Sequence, residues 1–408
     1  SPESGSLGSI IAIEGENLDS ETIDGIFLGD VQIPVCNITK SKVYAAVSSA
    51  VPEGKHTLII SVDGKKSELG EFIVDDIGVD SIIEEQVDAS KDNVISSGNI
   101  TIKIPLGVIA KSDILTVEKV KSDLSSGFPA DSSEYYFVEV GDQHEFNGDI
   151  TIEMPVPQEY IGNTPLVTYF NDERGTWEPM ESEVASDGNL RITTSHLTPL
   201  GIVWGYDCIK SQDGFFSVYY DSDDTKINAH GNKNPASLAN EVTLALVEAR
   251  SKYDSLLGSS YKLNDGLTSQ YVIVHSGYSE DGGSYSWKSS IIYLPGEYDT
   301  EENVKTTAAH ELFHAYQDEQ AIGLTMGANL WWTEAMAEYA SKKVAFGIIP
   351  EIWTGSLPSE TITTVDTVHE YSMSAFIDYM LNKHNVSFLD LHKAYINTSA
   401  GSSLSSFT

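Results

Sequence analysis

The sequence is poor in cysteine, in basic residues and in long apolar runs, and each shortage excludes a class of protein. Only two cysteines occur in 408 residues, Cys36 and Cys208. They lie far apart and no CxxC pair exists, so a cysteine-based zinc site or thiol-redox motif is excluded. Two free thiols are the simpler reading than a bridge crossing separate domains. Lys and Arg number 24 against 61 Asp and Glu, for a formal net charge of -37. Such a surface repels nucleic acid and anionic lipid, so neither is expected as a partner, although it can hold divalent cations weakly. No stretch approaches the ~18 consecutive apolar residues of a membrane helix, so no membrane span is expected.

What is present is enough apolar material, 40% of residues, to build real cores. The length points to two to four domains, without internal repeats. Residues 1–75 are short β-prone runs punctuated by turns: "GSIIAIEGENL", "IDGIFLGDVQIPV", "KVYAAVSSAVPEGKHTLIISVDG" and "GEFIV". An acidic stretch, "VDDIGVDSIIEEQVDASKDN", precedes a second β region over 76–205, where "DITIEM" and "LRITTS" alternate with period 2. From 206 to 408 the pattern changes. Strands are expected in "GFFSVYYD", "QYVIVHSG" and "KSSIIYLPG", and a helix in "PASLANEVTLALVEARSKYDSLLG" with Pro235 at its start. Further helices are expected at 300–320, 328–346, 372–384 and 387–397. The expected fold is therefore multidomain: two N-terminal all-β sandwich domains followed by an α+β domain.

The first 75 residues resemble an IPT/TIG immunoglobulin-like domain. The resemblance rests on Pro2-x-x-Gly5-Ser6-x-Gly8 before "IAIEGENL", the "IFLGD" hairpin, "AVPEGKHTLIISVDGKKS" and a closing F-x-V. The tail of the second region, "GTWEPM" through "ITTSHLTPLGIV", is similar to the end of ZU5-like β domains. His196 lies in that tail with no ligand-spaced partner near it, so a surface or turn role is expected.

The chemistry concentrates in "AAHELFHAYQDEQ", Ala308 to Gln320. On a helix, His310 and His314 share one face one turn apart, and two imidazoles so placed can grip Zn²⁺ at about 2.0–2.1 Å. Glu311 is rotated about 100° away, beside the metal, where it can take a proton from water. The motif alone also fits an ordinary amphipathic helix, so a third ligand must be found. No histidine follows within the next six residues, which excludes the three-histidine arrangement. "NLWWTEAMAEYASKK" supplies the alternative, with Glu334 and Glu338 one turn apart on an apolar helix. Two carboxylates there are costly unless something positive binds them. Glu334 is read as the third ligand and Glu338 as acceptor for a ligating imidazole N–H.

H-E-x-x-H followed about 20 residues later by W-x-E-x-x-A-E-Y resembles the gluzincin metallopeptidases, the clan of thermolysin-like enzymes, zinc aminopeptidases and bacterial collagenases. The resemblance implies a zincin-type catalytic domain and a Zn²⁺ cofactor. It implies His310, His314 and Glu334 as ligands, Glu311 as general base and Glu338 as the outer carboxylate. Ala335 stands where many members have Gly. "YSMSAF" from Tyr371 resembles the Y-x-x-G-A segment of the aminopeptidase branch, with Ser374 for the Gly; it implies Tyr371 as oxyanion donor, with His369 the competing assignment. In this clan an edge strand before the motif helix binds extended substrate, and "WKSSIIYLPG" occupies that place, with Tyr285 and Trp287 as subsite or packing residues. No G-x-M-E-N stretch precedes His310, which favours an endopeptidase over an aminopeptidase.

The expected function is zinc-dependent hydrolysis of protein or peptide substrates. The rival is a surface adhesion or binding protein that uses its β domains for cell-surface or matrix contacts. An extracellular or cell-surface location is expected. "SPESGS" reads as a trimmed start, and "GSSLSSFT" breaks off within helix-forming sequence as though the catalytic domain were truncated. The acidic turns Asp221–Asp224 and Glu280–Gly283 do not follow an EF-hand loop and are read as solvated turns.

Overall fold

The computed structural model describes residues 3–15, 18, 22–38, 42–120, 133–141, 143, 145–196, 199–258, 263, 269–276, 282–286, 290–318, 330–349 and 369–397. The chain divides into two compact units, Ser1–Asp207 and Cys208–Thr408. It is a multidomain, mostly β protein, with five α-helices among the described residues.

The first unit contains two sandwiches. In the N-terminal one, a five-stranded sheet runs Ser4–Gly5, Lys65–Val74, Gly54–Val62, Ile23–Leu28, Val31–Ile33. It faces a three-stranded sheet of Ile10–Glu14, Lys42–Ala46 and Val35–Ile38. Their inward residues, Ile11, Ile26, Leu28, Ile33, Val43 and Phe72, form one core. The register of its longest hairpin is set by Asp63 and Gly64. Both have positive φ, 47° and 73°, as a two-residue turn matched to strand twist requires. The Asp24 carboxylate locks this turn, accepting from the Gly64 N–H at 2.7 Å and the Ser61 hydroxyl at 2.9 Å.

The second sandwich pairs a six-stranded sheet, which includes Val79–Val87, Asp113–Val120, Ser133–Val140 and Leu166–Asn171, with a five-stranded one that includes Ile100–Ile104, Glu145–Pro155 and Asn189–His196. The two sandwiches touch at a specific seam. The Asp172 carboxylate accepts from the Ser49 N–H at 2.8 Å and the Ser49 hydroxyl at 2.6 Å. At Gly175 (φ 65°) a Cβ would fall 2.7 Å from Pro34 Cγ, so the close approach of the two sandwiches depends on glycine. His196 packs against Tyr169 with the rings tilted at 59° and their centroids 4.9 Å apart. Cys36 and Cys208 are not joined by a disulfide.

The second unit is built on a sheet ordered Tyr206–Lys210, Phe216–Asp221, Gln270–His275, Ile291–Pro295, Ser284–Ser286. The three strands 216–221, 270–275 and 291–295 are parallel. Parallel neighbours need a crossover, and helix α1 (Pro235–Leu257) provides the first. Asn234 caps α1, its side chain accepting from Ser237 N at 3.2 Å, with Pro235 next. The stripe Leu238, Val242, Leu246, Ala249 and Tyr253 is buried at helical spacing.

Helix α2 (Glu301–Asp318) is buried continuously from Ala308 to Gln317. Such a helix is enclosed on every side, so its polar side chains must find partners inside the protein. Helix α1 clasps it: Tyr253 donates to the Ala309 carbonyl at 3.0 Å, and Tyr316 donates to Asp254 at 2.7 Å. The single helix expected over 328–346 is instead α3 (Leu330–Tyr339) running into a π-helical segment, Ala340–Ala345. Helices α4 (His369–His384) and α5 (Phe388–Asn397) complete the unit.

The expected edge strand needs correction. Residues 291–295 are interior, because Ser284–Ser286 folds back antiparallel onto them and takes the edge. Asp221 accepts from Asp223 N, but Asp224 is buried rather than solvated, accepting from Lys226 N and from the distant Ser276 N. No helix among the described residues is long and apolar enough to cross a membrane.

Candidate metal centre

Helix α2 brings His310 and His314 onto one face, with the rings T-shaped at 4.7 Å and their Nε2 atoms 3.0 Å apart. Helix α3 supplies Glu334, whose Oε2 lies 3.0 Å from His310 Nε2 and 3.3 Å from His314 Nε2. One ligand atom from each residue falls within 4.8 Å of the others. Both histidines are about 95% buried, at 6% and 5% relative exposure. Three donor atoms converging inside a protein, two imidazole nitrogens and a carboxylate oxygen, are the donor set that zinc takes in catalytic sites.

The outward nitrogens are also engaged. His310 Nδ1 lies 3.5 Å from Glu338 Oε2, whose other oxygen meets Lys342 Nζ at 2.6 Å. His314 Nδ1 lies 2.7 Å from Gln317 Oε1, and Gln317 Nε2 donates to the Thr333 carbonyl at 3.2 Å. Glu311 lies on the neighbouring face of α2, 5% exposed. Its carboxylate receives the backbone N–H of Tyr285. A Cβ on Gly283 would stand 2.7 Å from Glu311 Cγ, so a glycine there lets the edge strand close over this carboxylate. Tyr285 also donates to Asp318 at 2.8 Å, tying that strand to the end of α2.

The electrostatics separate the three carboxylates. Burial pushes the Glu311 carboxyl above the usual carboxylate range, against the pull of His310 and His314. Burial also opposes charge on Glu334, but His314 and His310 outweigh it and hold Glu334 far below that range. Glu338 is likewise lowered, with His310 and Lys342 overcoming its burial. Burial disfavours charge on His310, yet the hydrogen bonds to Glu334 and Glu338 raise it well above the ordinary imidazole value. The same contest, with Glu334 the main partner, raises His314.

Five of the residues singled out from sequence thus come together: His310, Glu311, His314, Glu334 and Glu338. His369 and Tyr371 open helix α4, but their side chains lie outside the described residues. Trp287 and Glu280 are outside them altogether. Gln317, Lys342 and the Tyr285 backbone were not singled out, and Gly283, read as the end of a solvated turn, is half-buried against Glu311. The available signals were a glutamine three residues after His314 and a lysine four after Glu338, both ordinary on a helix. A separate cavity of about 740 Å³, lined by Glu248, Lys252, Lys305, Lys343 and Phe346 among others, shares no residue with this cluster.

Comparison with known proteins identifies one part of the chain. Residues 1–74 match the IPT/TIG domain family, so the protein carries an N-terminal immunoglobulin-like TIG domain. No curated protein matches significantly. Among solved structures, the chain is similar to the Bacteroides ovatus mixed-linkage glucan utilization locus SGBP-B in complex with a mixed-linkage heptasaccharide, at 17% identity and TM-score 0.16, over 48% of this chain and 43% of that one. It is also similar to a protein of unknown function from Bacteroides thetaiotaomicron VPI-5482, at 14% identity and TM-score 0.18, over 38% and 44%. A functionally unknown conserved protein from Bacillus anthracis str. Ames aligns at 11% identity and TM-score 0.32, over 63% and 61%. The chain spans less than two thirds of the length of each, and at these TM-scores none defines a shared fold.

Proposed function

We propose that the protein is a secreted or cell-surface zinc peptidase of the gluzincin kind, cleaving within peptide chains. Its TIG domain and ZU5-like β domain precede a zincin-type catalytic unit. The observation that carries the reading is the convergence of His310 Nε2, His314 Nε2 and Glu334 Oε2 in a buried cluster, with each outward imidazole nitrogen facing an acceptor. Two histidines and a carboxylate fit Zn²⁺, and their burial among further carboxylates leaves negative charge that a cation would balance. When bound there, zinc would polarise the scissile carbonyl and make a water acidic near neutral pH.

The protein's own groups do the rest. Glu311, buried and raised in pKa, accepts the proton of the attacking water and delivers it to the leaving amine. The edge strand Ser284–Ser286 offers backbone to an extended substrate. Tyr371, or its competitor His369, donates to the oxyanion from the first turn of α4. The substrate is a protein or peptide; nucleic acid is not a partner of so acidic a chain.

The competing reading, an inactive surface adhesion or binding protein, is supported by the TIG domain and the two-sandwich unit. Replacing Glu311 with Gln decides between them. The peptidase reading expects wild type to cleave a peptide library, and the variant to keep its zinc while losing cleavage. Absence of metal and of cleavage in wild type would leave the binding reading.

A further inference from the structure

We propose that Gln317 is a positioning residue of this centre, which selects the ring nitrogen His314 offers to the metal and buckles the histidine helix to the Glu334 helix. The proposal rests on the metal reading above. Gln317 is fully buried, one turn beyond His314 on α2, so its amide must satisfy both ends inside the protein. One end is unambiguous. The Thr333 carbonyl, 3.2 Å away, can only accept a hydrogen bond, so the Gln317 NH₂ must face it. The amide cannot flip without setting two carbonyl oxygens against each other. Its oxygen is therefore fixed toward His314 Nδ1 at 2.7 Å.

An amide oxygen only accepts, so Nδ1 must carry a hydrogen. In the neutral ring that a metal requires, the lone pair then sits on Nε2. That nitrogen is the one facing Glu334 and His310. A backbone carbonyl on α3 thus dictates, through one side chain, which nitrogen α2 presents. Thr333 immediately precedes Glu334, so the same bond sets the spacing between the helix bearing two ligands and the helix bearing the third.

His310 uses a different device. Its Nδ1 faces the charged Glu338, which is shared with Lys342. The two histidines are therefore oriented independently, and loss of Gln317 releases only His314.

The test compares full-length wild type with Gln317→Met and Gln317→Glu. Methionine keeps the volume and removes the acceptor; glutamate keeps the acceptor and places an oxygen against Thr333. Zinc affinity is read by competition with a chromophoric chelator, and folding by thermal melts. His314 Nδ1–H is observed by NMR of ¹⁵N-histidine protein loaded with zinc. Positioning predicts a 10–100-fold weaker zinc affinity for Gln317→Met, the range seen when such partners are removed, with the exchange-protected Nδ1–H signal lost. It predicts Gln317→Glu within about threefold of wild type, signal retained, even though it packs less well. A packing role predicts the reverse order, and that order, or equal affinity in Gln317→Met, overturns the assignment while leaving the metal reading intact. Ligation of His314 through Nδ1 in wild type overturns it without any variant. A wild type that binds no zinc removes the metal reading, and this assignment with it.

Discussion

Lys342 Nζ lies 2.6 Å from one oxygen of Glu338, whose other oxygen lies 3.5 Å from His310 Nδ1. The lysine sits in the π-helical segment that follows α3, so this widened turn, a kind common at functional sites, carries the cation that steadies the carboxylate behind His310. Lys342 and Glu338 side chains are only 18% and 14% exposed. Removing the lysine leaves Glu338 with His310 as its remaining cationic partner. Lys342→Met is expected to destabilise the second unit by about 1.5 kcal/mol, the scale of one hydrogen bond to a charged group. Chemical denaturation checks this; an unchanged midpoint and slope refute it.

Gly283→Ala tests the placement of Glu311. The new methyl would stand 2.7 Å from Glu311 Cγ and 3.0 Å from Leu294 Cδ2, both closer than packed carbons tolerate. The edge strand or the carboxylate must move. Peptide cleavage is expected to fall at least ~10-fold, since misplacing a catalytic group by about 1 Å costs on that order or more. Zinc affinity should stay within about twofold, because none of the proposed ligands is touched. A parallel loss of zinc would show that the glycine supports the ligands instead.

Tyr253→Phe tests the clasp of α1 on α2. The hydroxyl donates to the Ala309 carbonyl from a fully buried ring, next to His310. The carbonyl keeps its helical N–H donor inside α2, so the loss should cost about 0.5–1.5 kcal/mol, one net hydrogen bond. Thermal unfolding measures it, and a melting temperature equal to wild type contradicts it.

The pH response of stability has a component from His392. This residue is buried against Phe313 and Phe388, and burial lowers its pKa to about 4. An unfolded histidine titrates near 6.5. Between these values the unfolded chain binds a proton that the folded chain refuses, so stability is full above pH ~6.5 and falls as the pH drops toward 4. His310 and His314 act in the opposite sense without metal: their raised pKa values favour the folded state below ~6.5 and lose that contribution as the pH rises through them. The comparison must therefore be between wild type and His392→Leu in one buffer series with chelator. The variant should lose about 3 kcal/mol less stability than wild type between pH 7.5 and 4. Parallel curves would contradict it.

How much of this could be read from residues depends on how local the determinant is. Pro235 and the 3.6-residue apolar stripe announced α1, because caps and periodicity are properties of neighbouring residues. The "VDG" turn at Val62–Gly64 and the turn glycines gave the TIG outline, which the family match over 1–74 supports. His310, His314, Glu334 and Glu338 stood out because charged groups on apolar helices need a reason. Gln317 did not, since a glutamine on a helix is common and only burial plus the Thr333 carbonyl give it meaning. The interior position of 291–295 was also hidden. It depends on three residues, Ser284–Ser286, folding back along the sheet, and strand order is set by tertiary pairing rather than by pattern. The π-helical turn at Ala340–Ala345 had no local signal, and without it the placement of Lys342 could not be foreseen.

The central claim is that His310, His314 and Glu334 hold one zinc ion. Metal analysis of full-length protein, purified without chelator and dialysed against trace zinc, tests it most directly. The account predicts about one zinc per chain in wild type and in Glu311→Gln, and loss of that zinc in His314→Ala and Glu334→Ala. Wild type without stoichiometric zinc, or zinc that survives removal of both His314 and Glu334, would contradict it.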